Sequence, residues 1–338
     1  MPVRASRATC SSKPVLRLRS LFRLNESSIQ APPQAIPDSE LEYVEKSVIR
    51  AATEAGAYVA SRFGGVLEIS NKGDKPGKDL VTDVDKKTQQ LIAGIMAETC
   101  PDHVLLGEED PPADEPAAAD WLWIVDPIDG TTNFVNSSLI HAVSVAALYR
   151  GVPVAAVMWI PWPNDEGNLL MHARTGNGAW IGEMKMSVLS PSDTGVPVAG
   201  SHSSAPRWIQ RAFDVQKPLQ GNFGELRDGG SACYEQFMVA RGSMQFAITG
   251  FAYTWDFAAG ALLTKEAGGK VLSLGSYRRF TPFEAWGKDY ANDAATYGRI
   301  RKWKGLVLSG APETVDFIAE NLLPKRTGLL GKLRSLLG

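Results

Sequence analysis

The feature that most restricts how this chain can fold is an apolar run that ends in paired acids. The run from Trp121 to Val125 is rich in β-branched and aromatic residues, which predicts a buried strand. Asp126 and Asp129 follow it in a Pro-Ile-Asp-Gly turn, within the segment WIVDPIDGTTNF. A turn can bring both side chains to one point, where the carboxylates repel each other unless a cation or a shared proton is present.

A hard cation such as Mg²⁺ suits this pair, because no histidine or thiol accompanies the carboxylates. Mg²⁺ uses few protein oxygens and leaves coordination positions for water and a substrate phosphate. Gly130, Thr131 and Thr132 come next and offer N–H groups and hydroxyls where a helix can begin, a place that stabilises phosphate. For these twelve residues alone, an Asx-type turn without any ligand is the alternative.

Acids also stand at the ends of two other predicted elements. LLGEED ends a short apolar run with Glu108, Glu109 and Asp110, and YTWDFAAG places Asp256 where a helix starts. Taken singly, the first group is typical of a solvated loop and Asp256 of a helix cap. Either group gains a functional meaning only in combination with the paired acids.

Four segments have helical patterns. Ser39 with Glu42 forms a capping box before a stretch whose apolar residues recur every three or four positions. Thr82 with Asp85 caps a similar stretch. The other two segments, SACYEQFMVARG and DFAAGALLTKEAGG, each end in glycine, which is typical of a helix C-terminus.

The middle of the chain is predicted to form strands. WLWIV, HAVSVAALY and VPVAAVMWI are rich in β-branched or aromatic residues, and a turn at 149–151 joins the second to the third. NLLMHAR and GAWIG predict another hairpin around 176–178. Helices, then antiparallel strands, then alternating strands and helices predict a layered α/β fold in two halves, 38–190 and 191–325.

The composition is that of an ordinary folded protein and excludes several functions. Of the 338 residues, 44% are hydrophobic and 21% are charged, which is enough for a large core. The formal net charge of -2 argues against a nucleic-acid partner. Cys10, Cys100 and Cys233 are too scattered for a cysteine metal site and indicate a reducing compartment. No apolar run is long enough to predict a membrane span.

The two ends of the chain differ from the rest. No acid precedes Glu26, and serines and threonines are interleaved with basic residues, namely Arg4, Arg7, Lys13, Arg17, Arg19 and Arg23. Residues 1–37 therefore predict an organellar transit peptide, for a plastid or a mitochondrion, with a linker at APPQAIPD; a disordered basic tail is the alternative. The apolar tail 326–338 is predicted to form a frayed or docked helix. The alternative is a segment that contacts a membrane or a partner.

Five segments occur in the order KDLVTDVD, GEE, WIVDPIDGTTNF, RDGGSA and WDFAAGALLTKEAGG. Together they resemble the inositol monophosphatase family of metal-dependent, lithium-sensitive phosphatases, over Ser39 to Pro324. The resemblance implies the family's fold, alternating layers of helices and sheets that fructose-1,6-bisphosphatase shares. It also implies a Mg²⁺-dependent enzyme that hydrolyses a small-molecule phosphate monoester without a covalent phosphoenzyme.

The resemblance implies a role for each matching position. Asp126 would bridge two Mg²⁺ ions, and Thr131 with Asp85 would orient the attacking water. The full set of implied metal ligands is Glu108, Asp126, Asp129, Asp256 and the carbonyl of Ile128. The phosphate would be bound by Gly130 and Thr131, and the sugar pocket would be lined by Gly230, Ser231 and Ala232. The half 38–190 then carries most metal ligands, and the half 191–325 completes the site.

Three features bear on the substrate and on assembly. DGTTNF resembles the inositol and sugar-phosphate members of the family, which predicts inositol monophosphate or a related sugar phosphate. Thr249, however, stands where the animal inositol enzymes place a glutamate that contacts inositol hydroxyls. The segment from Gly275 to Leu306 is also longer than the family pattern.

Galactose 1-phosphate, fructose 1,6-bisphosphate and histidinol phosphate are alternative substrates, and a silent member acting as a binding protein is a further alternative. Because family members are often dimers, a homodimer is a further expectation.

Overall fold

The computed structural model of the protein describes residues 36–71, 80–111, 116–189, 195–274, 279–287 and 289–325. The predicted tail 326–338 lies outside these ranges, as does the predicted transit peptide and linker 1–37 except for its last two residues. Both therefore stay predictions. The described residues from Asp38 onward belong to one compact unit.

The helices of the described residues are α1 (Asp38–Arg62), α2 (Asp83–Thr99), α3 (Thr131–Val135), α4 (Ile209–Ala212), α5 (Ala232–Ala240), α6 (Ala258–Glu266), α7 (Ala294–Arg301) and α8 (Pro312–Asn321). The four segments with predicted helical patterns correspond to α1, α2, α5 and α6. The capping box of α2 is confirmed, because Thr82 Oγ1 accepts the Asp85 N–H at 3.3 Å and the Thr82 N–H donates to Asp85 Oδ2 at 2.8 Å.

The start of α1 corrects one prediction. Ser39 lies inside the first turn rather than at the cap, because the helix already begins at Asp38. Asp38 and Glu40 favour this earlier start, since acids in the first turn complement the positive end of the helix dipole. The buried residues of α1 recur every three or four positions, as the sequence pattern predicts.

The strands form two large sheets and two small ribbons. In chain order they are β1 (Ile69–Asn71), β2 (Leu80–Thr82), β3 (Val104–Gly107), β4 (Trp121–Asp129), β5 (Ala142–Tyr149), β6 (Val152–Pro161), β7 (Asn168–Arg174), β8 (Gly178–Ile181), β9 (Met184–Lys185), β10 (His202–Ser204), β11 (Phe213–Val215), β12 (Glu225–Arg227), β13 (Phe246–Tyr253), β14 (Lys270–Leu274), β15 (Phe280–Pro282), β16 (Lys304–Gly310) and β17 (Leu322–Pro324). Both predicted hairpins, β5–β6 and β7–β8, are present.

The two large sheets use different parts of the chain. The first has seven strands in the sequential order β3-β4-β5-β6-β7-β8-β9, and it is antiparallel except for the pair β3–β4. The second has six strands in the order β12-β10-β13-β16-β14-β15. All strands of the first sheet precede residue 190, and all strands of the second follow residue 195.

Helices and sheets alternate in layers. Along β6, Trp159 lies against Gly56 of α1, whereas Met158 and Ile160 share a core with residues of α5 and α6. Successive side chains of a strand point to opposite faces, so α1 covers one face of the first sheet and α5 and α6 cover the other. The pair α5 and α6 also contacts the second sheet, which α8 covers. This arrangement confirms the predicted layered α/β fold.

No helix in the described ranges combines the length and the apolar character that crossing a membrane requires.

Candidate active site

Glu108 and Asp126 reach the same edge of the first sheet because β3 and β4 run parallel. Gly107 lies opposite Val125 in this pair, and the Glu108 N–H donates to the Val125 carbonyl at 3.1 Å. The carboxyl ends of two parallel strands lie side by side. The residue that follows β3 is therefore delivered next to the last third of β4, where the paired acids stand.

A bulge in β4 turns Asp126 and Asp129 toward the same side. Residues three apart in a regular strand point to opposite faces. Asp126 pairs with Ser144 and Asp129 with Ala142, so β4 takes three steps where β5 takes two. A bulge of this kind re-aims the side chain that follows it, and it tolerates Pro127, which has no N–H to donate. The strand continues to Asp129, which corrects the prediction that it ends at Asp126.

Four acids converge at this edge, and we call Glu108, Asp126, Asp129 and Asp256 the acid cluster. Ligand atoms of Asp126 and Asp129 lie within 4.8 Å of each other and of Cys233 Sγ. Asp126 is also within hydrogen-bonding reach of the side chains of Glu108 and Asp256. Because Asp126 is only 1% exposed and Asp129 only 9%, bulk water screens their charges poorly.

Burial and mutual repulsion make these acids hard to ionise. The pKa of Asp126 is raised well above its usual value, first by burial and then by the charges of the other three acids. Burial, with the charges of Asp129 and Glu108, likewise raises the pKa of Asp256 well above its usual value. Burial also raises the pKa of Asp129 to about 6, against the hydrogen bonds that its carboxylate accepts. A positive ion in the cluster would reverse these shifts.

The acid cluster fits a hard divalent cation. Asp126 Oδ1 is buried and has no hydrogen-bond partner among the described residues, so this oxygen is available to a ligand. The cluster offers carboxylate oxygens, which are the ligands that Mg²⁺ prefers. The carbonyl of Ile128, the remaining predicted ligand, lies within the bulge, and its oxygen is 3.0 Å from Thr131 Oγ1. The residues present therefore suit the Mg²⁺ that the sequence predicts.

Hydrogen bonds from the backbone and from one serine hydroxyl orient two members of the cluster. Asp129 Oδ2 accepts the Ser231 hydroxyl and, at 2.7 Å, the Cys233 N–H at the start of α5. Asp256 Oδ2 accepts the Tyr253 N–H at 2.8 Å. The N-cap of α6 is Phe257 rather than Asp256, so the interpretation of Asp256 as a simple helix cap is wrong.

Asp85 and Thr131 form a pair beside the cluster. Thr131 Oγ1 lies 3.0 Å from Asp85 Oδ1, and Asp85 Oδ2 accepts hydrogen bonds from the backbone and the side chain of Thr82. Asp85 is buried. The capping box of α2 thus holds one carboxylate oxygen of Asp85, and the other oxygen faces the threonine that follows the paired acids.

Gly130 allows the chain to turn sharply between Asp129 and Thr131. Its φ of 87° is left-handed, and a Cβ there would lie 3.0 Å from both the Ile140 carbonyl oxygen and Ser231 Cβ. Glycine meets both demands without strain. Thr131 then begins α3, whose first N–H groups have no acceptor within the helix.

The predicted sugar-pocket residues differ in how open they are. Gly230 is exposed and has a φ of +74°, Ala232 is half-buried, and Ser231 is buried with its hydroxyl on Asp129. Asn133 ties this segment to the turn at Gly130, because its Nδ2 donates to the Gly229 carbonyl at 2.8 Å. Ser231 therefore orients a cluster member instead of lining an open pocket. The substrate roles of Gly230 and Ala232 stay predictions.

Thr249 lies in the middle of β13, opposite Val307 and just before an irregularity in the pairing with β16. It is 7% exposed, and its hydroxyl has no hydrogen-bond partner among the described residues. The same strand leads to Asp256 seven residues later. Its role in substrate selectivity stays a prediction.

Two residues near the cluster were not predicted from the sequence. Cys233 Sγ donates to the Asp256 carbonyl at 3.5 Å, and burial with nearby negative charge raises the pKa of this thiol well above its usual value. Glu235 Oε1 accepts the Gly229 N–H at 2.8 Å, and burial raises the pKa of Glu235 to about 7. The only signal in the sequence is their place in a helix that follows RDGGSA, and that signal does not distinguish them from core residues.

Comparison with known proteins places the chain in a family. The family model described as "Inositol monophosphatase family" matches residues 40–310. An inositol-1-monophosphatase of Synechocystis sp. is 31% identical over 69% of this chain and 79% of its own length. The Nus factor SuhB of Escherichia coli is 31% identical over 66% of this chain and 82% of its own length.

A solved structure shares the fold. It is described as an IMPase/NADP phosphatase complexed with Mg²⁺ and phosphate, and it superposes with a TM-score of 0.62 at 22% identity, covering 85% of this chain and all of that one. The family match spans most of the residues whose geometry is given above, including all four members of the acid cluster. The chain therefore belongs to the inositol monophosphatase family.

Proposed function

We propose that the protein is a Mg²⁺-dependent phosphatase that hydrolyses inositol monophosphate or a related sugar phosphate with a metal-activated water. The observation that carries the proposal is the acid cluster, four carboxylates from three separate parts of the chain at one largely buried point. Such a concentration of like charge costs stability and is kept where it binds a cation. The family and the relatives named as inositol monophosphatases support the same activity.

We assign the metal ligands to the acid cluster together with the Ile128 carbonyl. Bound Mg²⁺ would lower the pKa of a water molecule and offset the charge of the substrate phosphate. Asp126, which lies within reach of Glu108 and Asp256, would hold the metal together with them. Ser231 and the Cys233 N–H hold Asp129 in position, so its carboxylate needs little reorganisation on binding.

Thr131 and Asp85 position the attacking water and take up its proton. The Thr131 hydroxyl donates its hydrogen to Asp85 Oδ1, which leaves its oxygen lone pairs free to accept a hydrogen bond from water. The proton can then pass through the hydroxyl to the Asp85 carboxylate, which Thr82 keeps in place. The N–H groups of Gly130 and Thr131, at the start of α3, are assigned to the phosphate.

Substrate selectivity is proposed to involve the strand that leads to Asp256. The buried hydroxyl of Thr249, which has no partner among the described residues, offers only neutral hydrogen bonds, whereas a glutamate at this place could accept two stronger, charge-assisted ones. We therefore expect broad acceptance of sugar phosphates rather than strict inositol preference. Thr249→Val keeps the shape and removes the hydroxyl, so a higher KM with an unchanged kcat would support a substrate contact, and an unchanged KM would contradict it.

A phosphate-release panel tests the function. Purified protein would be given inositol 1-phosphate, galactose 1-phosphate, fructose 1,6-bisphosphate, histidinol phosphate and 3′-phosphoadenosine 5′-phosphate, each with Mg²⁺, with Mg²⁺ plus Li⁺, and with excess EDTA. We expect turnover of the sugar monophosphates that requires Mg²⁺ and falls with Li⁺. Full activity in EDTA would reject the metal-dependent mechanism. No turnover of any substrate would favour the alternative of a silent binding protein. One relative carries the name of a Nus factor rather than of a phosphatase.

A further inference from the structure

Asp110, the last residue of LLGEED, closes the turn that carries Glu108. The Gly107 N–H donates to Asp110 Oδ2 at 2.7 Å, and the Asp110 N–H returns a bond to the Gly107 carbonyl at 3.4 Å. The turn is thus fixed at both ends by one residue. Asp110 is only partly exposed, so these bonds do not compete freely with water.

Helix α2 holds the same turn from one side. Gln89 Nε2 donates to Asp110 Oδ1 at 2.7 Å, and Gln89 Oε1 accepts the Glu109 N–H at 3.0 Å. The fit is tight, because a Cβ on Gly107 would lie 2.2 Å from Gln89 Oε1. Gln89 stands one helical turn after Asp85, on the same face of α2. The turn of Glu108 is therefore linked to the helix that presents Asp85.

Helix α7 holds the turn from a distant part of the chain. The Tyr297 hydroxyl donates to the Leu105 carbonyl at 3.2 Å and approaches Asp110 Oδ2 at 3.4 Å. Arg301 donates through Nη2 to the Asp110 carbonyl, and its Nη1 lies 3.8 Å from Asp110 Oδ2. Tyr297 is buried and the Arg301 side chain nearly so. The helix belongs to the segment from Gly275 to Leu306, which the sequence predicts to be longer than the family pattern.

We propose that Tyr297 and Arg301 of α7 are positioning residues that set the affinity of the acid cluster for its divalent cation by holding Asp110 and, through it, Glu108. Neither residue is among those assigned to the metal, the phosphate or the attacking water. The inference rests on the proposed function for the identity of the cation. Its physical basis is that groups which orient a metal ligand lower the reorganisation needed on binding, and that their loss typically weakens metal binding about 10–100-fold.

The chain supplies matched controls in the same segment. Tyr290 also donates its hydroxyl to a backbone carbonyl, that of Ala119 at 2.6 Å, but not to the turn of Glu108. Arg299 lies on α7 and donates to the Asp289 carbonyl at 3.0 Å. Tyr290→Phe and Arg299→Met therefore remove comparable bonds without releasing Asp110.

The experiment compares the double variant Tyr297→Phe/Arg301→Met with the double control Tyr290→Phe/Arg299→Met in the full chain. Mg²⁺ binding is measured by calorimetry without substrate, and the Mg²⁺ concentration for half-maximal phosphate release is measured separately. We expect the α7 variant to need about 10-fold more Mg²⁺ in both measurements, with kcat at saturating Mg²⁺ close to that of wild type. We expect the control to match wild type. Arg301→Lys, which keeps a donor, should restore part of the affinity.

The outcomes separate this inference from the proposed function. Wild-type phosphatase activity together with equal Mg²⁺ affinity in wild type and the α7 variant would overturn the positioning role alone. Mg²⁺ binding that depends on α7 in a protein without phosphatase activity would overturn the function and support the positioning role. If the α7 variant showed a lower kcat at saturating Mg²⁺ but an unchanged Mg²⁺ affinity, the positioning role would also be overturned. A melting temperature measured in EDTA shows whether the double variant keeps its fold. If it does not fold, the same measurements are made on the single variant Tyr297→Phe.

Discussion

The hydroxyl of Thr131 lies 3.0 Å from Asp85 Oδ1, although 46 positions separate the two residues in the chain. One residue begins α3 after the bulge of β4, and the other lies in the first turn of α2. The pair exists only because α2 and α3 both begin at this place. Its proposed task is to place water and accept its proton.

Thr131→Ala tests this pair directly. Removing the hydroxyl should lower kcat by about 10²–10⁴-fold, the usual contribution of a positioned proton acceptor, while the acid cluster still binds Mg²⁺. Thr131→Ser keeps the hydroxyl and should retain much of the activity. Steady-state kinetics with calorimetric Mg²⁺ titration separate the two effects. Equal losses in the alanine and serine variants would argue against the role of the hydroxyl.

Asp129→Asn should have opposite effects on activity and on the metal-free fold. It removes one charge from a proposed metal ligand at nearly constant shape, so Mg²⁺-dependent turnover should fall more than about 100-fold. It also relieves repulsion in the acid cluster, so the melting temperature in EDTA near neutral pH should rise. Thermal unfolding in EDTA and in Mg²⁺ checks both points. A lower melting temperature in EDTA would show that the hydrogen bonds of Asp129 outweigh the repulsion.

Gly130→Ala should damage both the fold and the site. Its φ of +87° costs a side chain about 1–2 kcal/mol, and the new Cβ would also press on Ile140 and Ser231 at 3.0 Å. Gly176→Ala is the control, because its φ is +80° but nothing lies within 4 Å of the added atom. Urea unfolding should show the larger loss for Gly130→Ala, and only that variant should lose activity.

His103 should make stability fall as the pH drops below neutrality. Burial lowers the pKa of His103 to about 4, whereas an unfolded histidine titrates near pH 6.5. The unfolded state therefore binds more protons between these two values, so the contribution is fully present above pH 6.5 and is lost toward pH 4. His103 accepts the Trp123 indole N–H at 2.9 Å and stacks on Trp121.

The variant His103→Gln isolates this effect. It keeps a hydrogen-bond acceptor for Trp123 but does not titrate, so it should cost about 1 kcal/mol at pH 7.5 through imperfect packing and geometry. The difference in unfolding free energy from wild type should shrink at pH 5. Urea titrations of both proteins at both pH values measure the difference. A gap that widens at pH 5 would contradict the assignment of a neutral histidine.

The N-terminal 37 residues should be dispensable for catalysis. Deleting them leaves α1, which begins at Asp38, intact, so the melting temperature and the phosphatase kinetics should match those of the full chain. Fused to a fluorescent reporter, the same residues should direct it to a plastid or a mitochondrion. A reporter spread through the cytosol would contradict the transit-peptide hypothesis.

The local elements and the charged turn could be predicted from the sequence because short-range signals determine them. The Thr82–Asp85 capping box and the glycines that end α5 and α6 act within a few residues. The aspartates of β4 were recognisable because acids directly after an apolar strand are unusual. The resemblance to a family then supplied Glu108 and Asp256, which no local pattern relates to each other.

Long-range features could not be predicted in the same way. The bulge that aligns Asp126 with Asp129 depends on pairing with β5, which does not show in the spacing of β4. The hydroxyl of Ser231 could equally face a sugar, and only packing of α5 against Asp129 assigns it to the carboxylate. The contacts of Tyr297 and Arg301 with the turn of Glu108 join residues almost 200 positions apart, a distance over which periodicity carries no information.

The bond between Arg301 and the Asp110 carbonyl spans 191 residues, and this separation has a consequence for protein synthesis. At a translation rate of about 5–20 residues per second, the turn of Glu108 leaves the ribosome roughly 10–40 s before α7 does. Throughout that interval the growing polypeptide carries Glu108 and the acids of β4 without the helix that holds the turn of Glu108. Ribosome-bound chains that stop before residue 294 should therefore retain Mg²⁺ poorly, and competence should arise late, once the segment that contains α7 has emerged.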